Sequence, residues 1–143
     1  MSLKKILVIN GPNLNMLGKR EPEIYGDQTL ADLDAGLIDA FYGKADIVCY
    51  QSNIEGELVD RIQQANDESI DGIVINPGAY THYSLAIHDA VKAIEIPVIE
   101  VHISNIHARE EARHKSVIAS AAVGQVSGLG FKGYELAVEY FLK

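Results

Sequence analysis

Short apolar runs recur along the chain and alternate with segments of helical periodicity. The runs are rich in β-branched residues and show little polar alternation, which is typical of strands buried on both faces of a sheet. They lie at residues 6–9, 46–50, 72–75, 97–101 and, more weakly, 121–126. The pattern therefore predicts five strands.

The segments between these runs space apolar residues three and four apart, as amphipathic helices do. The first predicted helix spans residues 29–44, with Thr29 as N-cap and Asp32 as an imperfect capping-box partner. Others are centred on residues 58–65 and 84–94, and the last covers residues 134–142. Regular alternation of strand and helix favours a parallel sheet with right-handed crossovers. The predicted fold class is α/β, a flavodoxin-like three-layer sandwich whose five-stranded parallel sheet has the order 2-1-3-4-5.

The composition fits one globular domain covering residues 1–143, since 48% of the residues are hydrophobic and 22% are charged. The formal net charge of −8 argues against a nucleic acid as the main partner. It does not argue against a small anionic substrate, because a few arginines can make the local electrostatic potential positive although the net charge is negative.

The cysteine content and the N-terminus indicate the compartment. Cys49 is the only cysteine, so no internal disulfide can form and a reducing compartment fits best. Only four apolar residues follow Lys5, too few for a signal peptide or a membrane helix. We therefore expect a cytoplasmic protein with no membrane partner.

Polar residues follow four of the predicted strands, at residues 10–13, 51–53, 76–78 and 102–104. In open parallel sheets, ligands bind beyond the carboxyl ends of the strands. Each loop taken alone is also explained by the preference of Asn, Ser and Gly for turns. Four polar ends at one edge of the sheet favour a site for an oxygen-rich small molecule.

The first connection, residues 11–28, is unusually long, since loops between strand and helix commonly have ~2–6 residues. It contains Arg20 and Tyr25 and is bracketed by Gly18 and Gly26. A long loop with glycine hinges over a strand-end site is typical of an active-site lid. A decorated surface loop is the alternative.

Residues capable of acid–base catalysis lie at the end of the fourth predicted strand and in the long first connection. His102 ends the fourth predicted strand, and Glu100, two residues earlier, shares its face and could orient or charge the imidazole. On the lid, Arg20 favours ionisation of the Tyr25 phenol if the two side chains are close. A core histidine with satisfied hydrogen bonds is an equally good interpretation of His102 from spacing alone.

Other motifs carry less weight. Residues 128–133 match GxGxxG, but they follow the last strand, and too little chain remains for a dinucleotide-binding unit. None of the five histidines has metal-ligand spacing. Asn10, Asn13 and Asn76 stand where a phosphate-accepting receiver domain would need acidic residues. The reaction type left by these exclusions is acid–base chemistry with no cofactor and no metal.

Longer motifs make the assignment more specific. The run NGPNLNMLGKREPEIYG at residues 10–26 closely resembles the signature of the type II 3-dehydroquinate dehydratases. Further similar motifs are QSN at 51–53, EG at 55–56, NPGAYTH at 76–82, EVHISN at 100–105 and REE at 109–111, followed by Arg113. The similarity covers essentially the whole chain.

The resemblance implies a lyase of the shikimate route that converts 3-dehydroquinate to 3-dehydroshikimate by anti elimination of water through an enolate, with neither metal nor Schiff base. On matching positions, Tyr25 would remove the proton beside the ketone, Arg20 would keep Tyr25 ionised, and Asn13 would stabilise the enolate. His102, oriented by Glu100, would protonate the departing hydroxyl.

The resemblance also implies a set of substrate-binding residues and an assembly. Asn76 and the backbone amides of Ile103 and Ser104 would hold the ring carboxylate and nearby oxygens. Ring hydroxyls would be bound by His82, Arg113 and, from a neighbouring subunit, Asp89. The implied assembly is a homo-oligomer, a tetramer of trimers.

The sequence departs from the family pattern at Ile54, Tyr83, Ala112 and His88, which puts the geometry of subunit contacts in question at Tyr83 and His88. Two rival functions remain open at this point. One is a different lyase or isomerase on the same scaffold, and the other is a flavodoxin-like binding protein without catalysis.

Overall fold

The computed structural model describes residues 2–143, except for the side chain of Tyr25. Five strands alternate with helices along this part of the chain. The strands are β1 (Lys4–Asn10), β2 (Ala45–Gln51), β3 (Gly72–Asn76), β4 (Val98–His102) and β5 (Gly124–Ser127). The α-helices are α1 (Pro22–Tyr25), α2 (Leu30–Ala40), α3 (Glu55–Ala65), α4 (Leu85–Ala93) and α5 (Lys132–Phe141).

The five strands form one parallel sheet in the order β2-β1-β3-β4-β5, which confirms the predicted fold class and strand order. Register is set along the central pair, where Ile6 faces Gly72 and Asn10 faces Asn76. Because all strands run in the same direction, their polar carboxyl ends meet at one edge of the sheet.

Two hydrophobic cores lie on opposite faces of the sheet and make it the middle of three layers. Ile6 and Val8 of β1 point to one core, whereas Leu7 and Ile9 point to the other, as the twofold period of a strand requires. The first core is closed by α2 and α5, and the second by α3 and α4. Burial on both faces explains why the strands read as continuous apolar runs.

The first predicted helix ends at Ala40 rather than at residue 44, and two further segments differ in kind from the sequence-based expectation. The weak fifth run was expected to begin at residue 121, but Ala119–Ala121 forms a 3-10 turn and β5 begins only at Gly124. The long first connection was expected to be a loop, but it contains the 3-10 turn Leu14–Met16 and the helix α1. Proline is favoured in the first turn of a helix, which accounts for the start of α1 at Pro22.

Thr29 and Asp32 form a complete capping box at the start of α2, where an imperfect one was expected. Thr29 Oγ1 accepts a hydrogen bond from the Asp32 backbone N–H at 3.1 Å, and Asp32 Oδ2 accepts from the Thr29 N–H at 2.9 Å. Aspartate therefore performs here the part that glutamate or glutamine takes in the usual motif. The box fixes the point at which the first connection ends.

Asp34 of α2 and Cys49 of β2 form a partly buried, hydrogen-bonded pair on the face of the sheet that α2 covers. Burial, together with the neighbouring Asp34 charge, raises the pKa of the Cys49 thiol to about 12, so the thiol stays protonated and unreactive. Burial also raises the pKa of the Asp34 carboxyl, and the hydrogen bond with Cys49 offsets only part of this rise. Folding therefore becomes less favourable as pH rises through the range in which Asp34 ionises.

Replacing Asp34 with asparagine is expected to stabilise the protein at pH 7, because an amide can still accept from the thiol but bears no buried charge. We expect the Tm to rise by roughly 2–4 °C, the shift that about 1 kcal/mol gives a domain of this size. Thermal unfolding at pH 7 and pH 4 checks this, and the gain should shrink at pH 4. Asp39→Asn on the exposed face of α2 is the control. An equal gain at both pH values would contradict this assignment.

Candidate active site

A cleft of about 550 Å³ opens at the carboxyl edge of the sheet. Eight of the residues that the sequence marked as site candidates line it: Asn13, Arg20, Asn76, His82, His102, Ile103, Ser104 and Arg113. The remaining lining residues are Pro12, Leu14, Gly78, Ala79, Ile106 and Arg109. The loops after β1, β3 and β4 thus meet around one cleft.

Of the other three candidates, two do not line the cleft. Glu100 lies behind His102 in β4 and is fully buried. Asp89 lies on α4, away from the cleft of its own chain. The side chain of Tyr25, in α1 of the long first connection, lies outside the described residues.

Two glycines let the loops after β1 and β3 approach each other closely. A Cβ atom on Gly11 would lie 2.6 Å from the Pro77 carbonyl oxygen, closer than real contacts allow. Gly78 has a φ of +61°, a backbone region that favours glycine, and a Cβ there would lie 2.9 Å from the Pro12 carbonyl oxygen. The Gly11 N–H donates to the Asn76 carbonyl at 2.8 Å. These contacts fix Asn13 relative to Asn76.

The loop after β2 supports the cleft from outside. Asn13 has the left-handed φ of 70°, and its backbone N–H donates to Asn53 Oδ1 at 2.9 Å. The same oxygen accepts from Gln51 Nε2 at 3.1 Å, and that nitrogen also donates to the Gly11 carbonyl at 3.1 Å. Residues 51–53 were expected to contribute to the site directly, but Gln51 and Asn53 instead hold the backbone from Gly11 to Asn13.

Glu100 and His102 form a buried hydrogen-bonded pair. The Glu100 carboxylate accepts from His102 Nε2, from Ser116 Oγ at 2.8 Å and from Gln125 Nε2 at 2.8 Å. Burial alone would raise the pKa of Glu100, but the hydrogen bond and charge of His102, with the bonds from Gln125 and Ser116, leave it below its ordinary value. Glu100 is therefore a buried anion beside the imidazole.

This anion fixes the orientation of His102. A carboxylate only accepts hydrogen bonds, so His102 Nε2 carries a proton and Nδ1 is the ring nitrogen left for the cleft. Sequence reasoning missed Ser116 and Gln125, although a signal for Gln125 exists in the sheet. Gln125 faces Glu100 in the register of β4 and β5.

His82 is oriented in a similar way by a backbone carbonyl. Its Nδ1 lies 2.7 Å from the Lys115 carbonyl oxygen, which can only accept, so Nδ1 is the donor. His82 Nε2 is then the nitrogen available to the cleft that this residue lines. The arrangement gives the cleft a second imidazole with a defined tautomer.

Three arginines surround the cleft of this acidic chain: Arg20, Arg109 and Arg113. Glu21 lies 3.6 Å from the Arg20 guanidinium and 3.7 Å from that of Arg109, and Glu110 lies 2.9 Å from that of Arg113. Guanidinium groups recognise carboxylates and hydroxyls through directed N–H donors. The local field therefore suits an anionic, oxygen-rich ligand, although sequence reasoning did not assign Arg109 to the site.

The sequence model of the family described as Dehydroquinase class II matches residues 4–142. The chain belongs to the class II dehydroquinase family. This finding confirms the resemblance that the motifs indicated.

Relatives named as dehydroquinases, and a solved type II dehydroquinase, match along nearly the whole chain. A 3-dehydroquinate dehydratase of Bacillus licheniformis is 59% identical over 138 residues, covering 96% of this chain and 94% of the relative. A catabolic 3-dehydroquinase of Botryotinia fuckeliana is 50% identical over 143 residues, covering 98% and 93%. The crystal structure of the type II dehydroquinase of Butyrivibrio crossotus superposes with a TM-score of 0.98 at 50% identity and full coverage of both chains.

The described part of this class II dehydroquinase chain lacks two features. No group of three or more His, Cys, Asp and Glu residues is placed to hold a metal ion there. No helix within that part is long and apolar enough to cross a membrane.

Proposed function

We propose that this class II dehydroquinase removes water from 3-dehydroquinate to give 3-dehydroshikimate in the shikimate route of aromatic amino-acid biosynthesis. The observation that carries the proposal is the buried Glu100–His102 pair opening into a cleft surrounded by arginines. The name of the Bacillus licheniformis relative supports the same reaction.

The first step is removal of a proton from the carbon beside the ketone. A phenol ionises near pH ~10, so a base at neutral pH needs a nearby cation that favours the phenolate. We assign the base to Tyr25 and the cation to Arg20, which lines the cleft. The electron pair moves onto the ketone oxygen, and Asn13 stabilises the resulting enolate with its amide.

The second step is loss of the hydroxyl group. The enolate collapses, the carbon–oxygen bond breaks, and a proton from His102 leaves with the hydroxyl as water. Only His102 Nδ1 can deliver this proton to the cleft, because Nε2 is held by Glu100. The buried anion of Glu100 stabilises the imidazolium until the proton is transferred, so Glu100 acts as a positioning residue.

The substrate carboxylate is held by donors at the ends of β3 and β4. We assign it to Asn76 and to the backbone amides of Ile103 and Ser104, which all line the cleft. Among the described residues, no hydrogen bond from the Ile103 or Ser104 N–H is found, so both N–H groups are available to an acceptor. His82 and Arg113 are placed to bind ring hydroxyls.

Activity should appear without metal or imine chemistry, because dehydration of a hydroxy ketone needs only a base, an acid and enolate stabilisation. We expect the conjugated enone absorbance to rise when the purified chain meets 3-dehydroquinate. The rate should be unchanged after exhaustive chelation, and borohydride added with substrate should not inactivate the protein. Loss of rate on chelation, or a reduced covalent adduct, would contradict the mechanism.

The same assay separates the rival functions. Turnover of another hydroxy acid in preference to 3-dehydroquinate would favour a different lyase or isomerase. Binding of 3-dehydroquinate in calorimetry with no enone formed would favour a binding protein without catalysis.

The proposed assembly is a closed homo-oligomer built from trimers, a tetramer of trimers. Asp89 is assigned to a neighbour's site, and it lies on α4 beside an exposed apolar patch, which we define as Ile54, Tyr83 and Leu85. These three side chains are 57%, 62% and 64% exposed in the single chain. Exposed apolar groups that lie together are typical of protein interfaces. We also propose a cytoplasmic location, since the unpaired Cys49 suits a reducing compartment.

Replacing Leu85 with glutamate is expected to break the oligomer, because a charge would be buried in the apolar patch. Turnover should be abolished as well, because Asp89 would then leave the neighbour's cleft. Glutamate suits the first turn of a helix, so α4 should stay folded. Sedimentation velocity and circular dichroism check the two effects separately. A wild-type chain that sediments as a fully active monomer would rule out the assembly.

A further inference from the structure

A chain of three buried polar side chains runs beneath the floor of the cleft. Asn76 Nδ2 donates to the Tyr134 hydroxyl at 2.9 Å, and that hydroxyl donates to Asn10 Oδ1 at 2.6 Å. Tyr134, in α5, is fully buried, and the two asparagines at the ends of β1 and β3 are nearly so. Of these three side chains, only that of Asn76 lines the cleft.

In the hydrogen bonds that join Asn76, Tyr134 and Asn10, the donor and the acceptor of each bond are fixed. The Tyr134 proton is committed to Asn10 Oδ1, so the hydroxyl presents only a lone pair to Asn76. On the other side, Asn76 Oδ1 accepts from the Gly78 N–H at 3.1 Å. Both neighbours therefore require the same amide orientation, with the nitrogen of Asn76 toward Tyr134 and its oxygen toward Gly78.

The fixed orientation determines what Asn76 offers a ligand. An amide nitrogen carries two hydrogens, and Tyr134 takes one of them, which leaves the second for the cleft. If the amide were flipped, an oxygen would take this place and would repel an acceptor such as a carboxylate. Burial raises the pKa of the Tyr134 phenol well above its ordinary value, so the hydroxyl keeps the proton on which this direction depends.

We propose that Tyr134 is a positioning residue for substrate binding, which, with Asn10, keeps the Asn76 amide turned so that an N–H group faces the substrate carboxylate. This inference rests on the proposed function, since it takes the carboxylate of 3-dehydroquinate as the group that Asn76 binds. Tyr134 itself does not touch the ligand. Its effect appears in binding through Asn76.

The test is a double-mutant cycle on steady-state kinetics with 3-dehydroquinate. Tyr134→Phe fills the same space and removes only the hydroxyl. We expect it to raise KM about tenfold while kcat changes less than threefold, because the carboxylate contact exists in both ground and transition states. In an Asn76→Ala background, the same substitution should leave KM unchanged within about twofold, because the two residues act as one unit. Tyr140→Phe, on the exposed side of α5, is the matched control and should change nothing.

Thermal unfolding separates positioning from a structural role. Tyr134→Phe should lower the Tm in both backgrounds, whereas its KM effect should vanish when Asn76 is alanine. If Tyr134→Phe does not fold, Asn10→Ala serves instead, since it frees the Tyr134 proton to face Asn76, and the same coupled rise in KM is expected. Equal KM effects in both backgrounds, or a loss confined to kcat, would overturn the inference. Absence of turnover by the wild-type chain would instead overturn the proposed function.

Discussion

Replacing His102 with alanine is expected to lower kcat for dehydration by about 100–1,000-fold, in the range that loss of a general acid costs. The reason is that the proposed mechanism has His102 Nδ1 protonate the departing hydroxyl, while Nε2 is held by Glu100. Exchange of the proton beside the ketone with solvent deuterium should fall much less, because it precedes the step that His102 serves. Enone absorbance and NMR of recovered substrate in deuterium oxide measure the two rates.

Two further variants sharpen this result. Glu100→Gln should lower kcat for dehydration more than it lowers the exchange rate, because the buried anion that orients His102 is then replaced by a neutral amide. His107→Ala, which removes an exposed histidine outside the cleft lining, should leave both rates unchanged. If His102→Ala suppressed exchange as strongly as dehydration, the histidine would belong to the first step instead.

Replacing Tyr25 with phenylalanine is expected to lower kcat by at least about 1,000-fold, near the upper end of what a general base contributes. Substrate binding should change by less than about tenfold, since the phenolate oxygen acts mainly in the transition state. Calorimetric titration with a non-reacting carboxylate analogue and the enone assay check the two effects. Tyr42→Phe, at a site 85% exposed, is the control.

Arg20→Ala tests the cation assigned to this base. It should lower kcat by orders of magnitude and move the acidic limb of the pH–rate profile upward, because the phenol then needs a higher pH to lose its proton. Near-normal turnover by Tyr25→Phe would refute the base assignment and would transfer the role to a residue that lines the cleft, such as His82.

The fold was predictable because the strands are buried on both faces and the helices on one. Runs such as residues 6–9 and 72–75 read as parallel strands for this reason, and strand order followed from the known doubly wound pattern. The two misjudged segments are those with weak periodicity. Residues 119–121 are small, and the first connection hides a four-residue helix too short to show a period.

The lining of the cleft was predictable at the strand ends, whereas the contacts made across the sheet were not. Asn76 and His102 end β3 and β4, and Asn13 lies shortly after β1, so their meeting at one edge needed only the direction of the strands. Gln125 reaches Glu100 from the neighbouring strand, and that contact depends on register. Tyr134 reaches Asn76 from the far end of the chain, a contact that no local pattern encodes.

The measurement that tests the account most directly is the fate of deuterium placed beside the ketone of 3-dehydroquinate. The account has a base on the lid side and an acid, His102, at the strand edge, which together remove the hydrogen and the hydroxyl from opposite faces of the ring. Mass spectrometry of the product should therefore show loss of deuterium placed anti to the departing hydroxyl and retention of deuterium placed syn to it. Loss of the syn label with retention of the anti label would contradict the account.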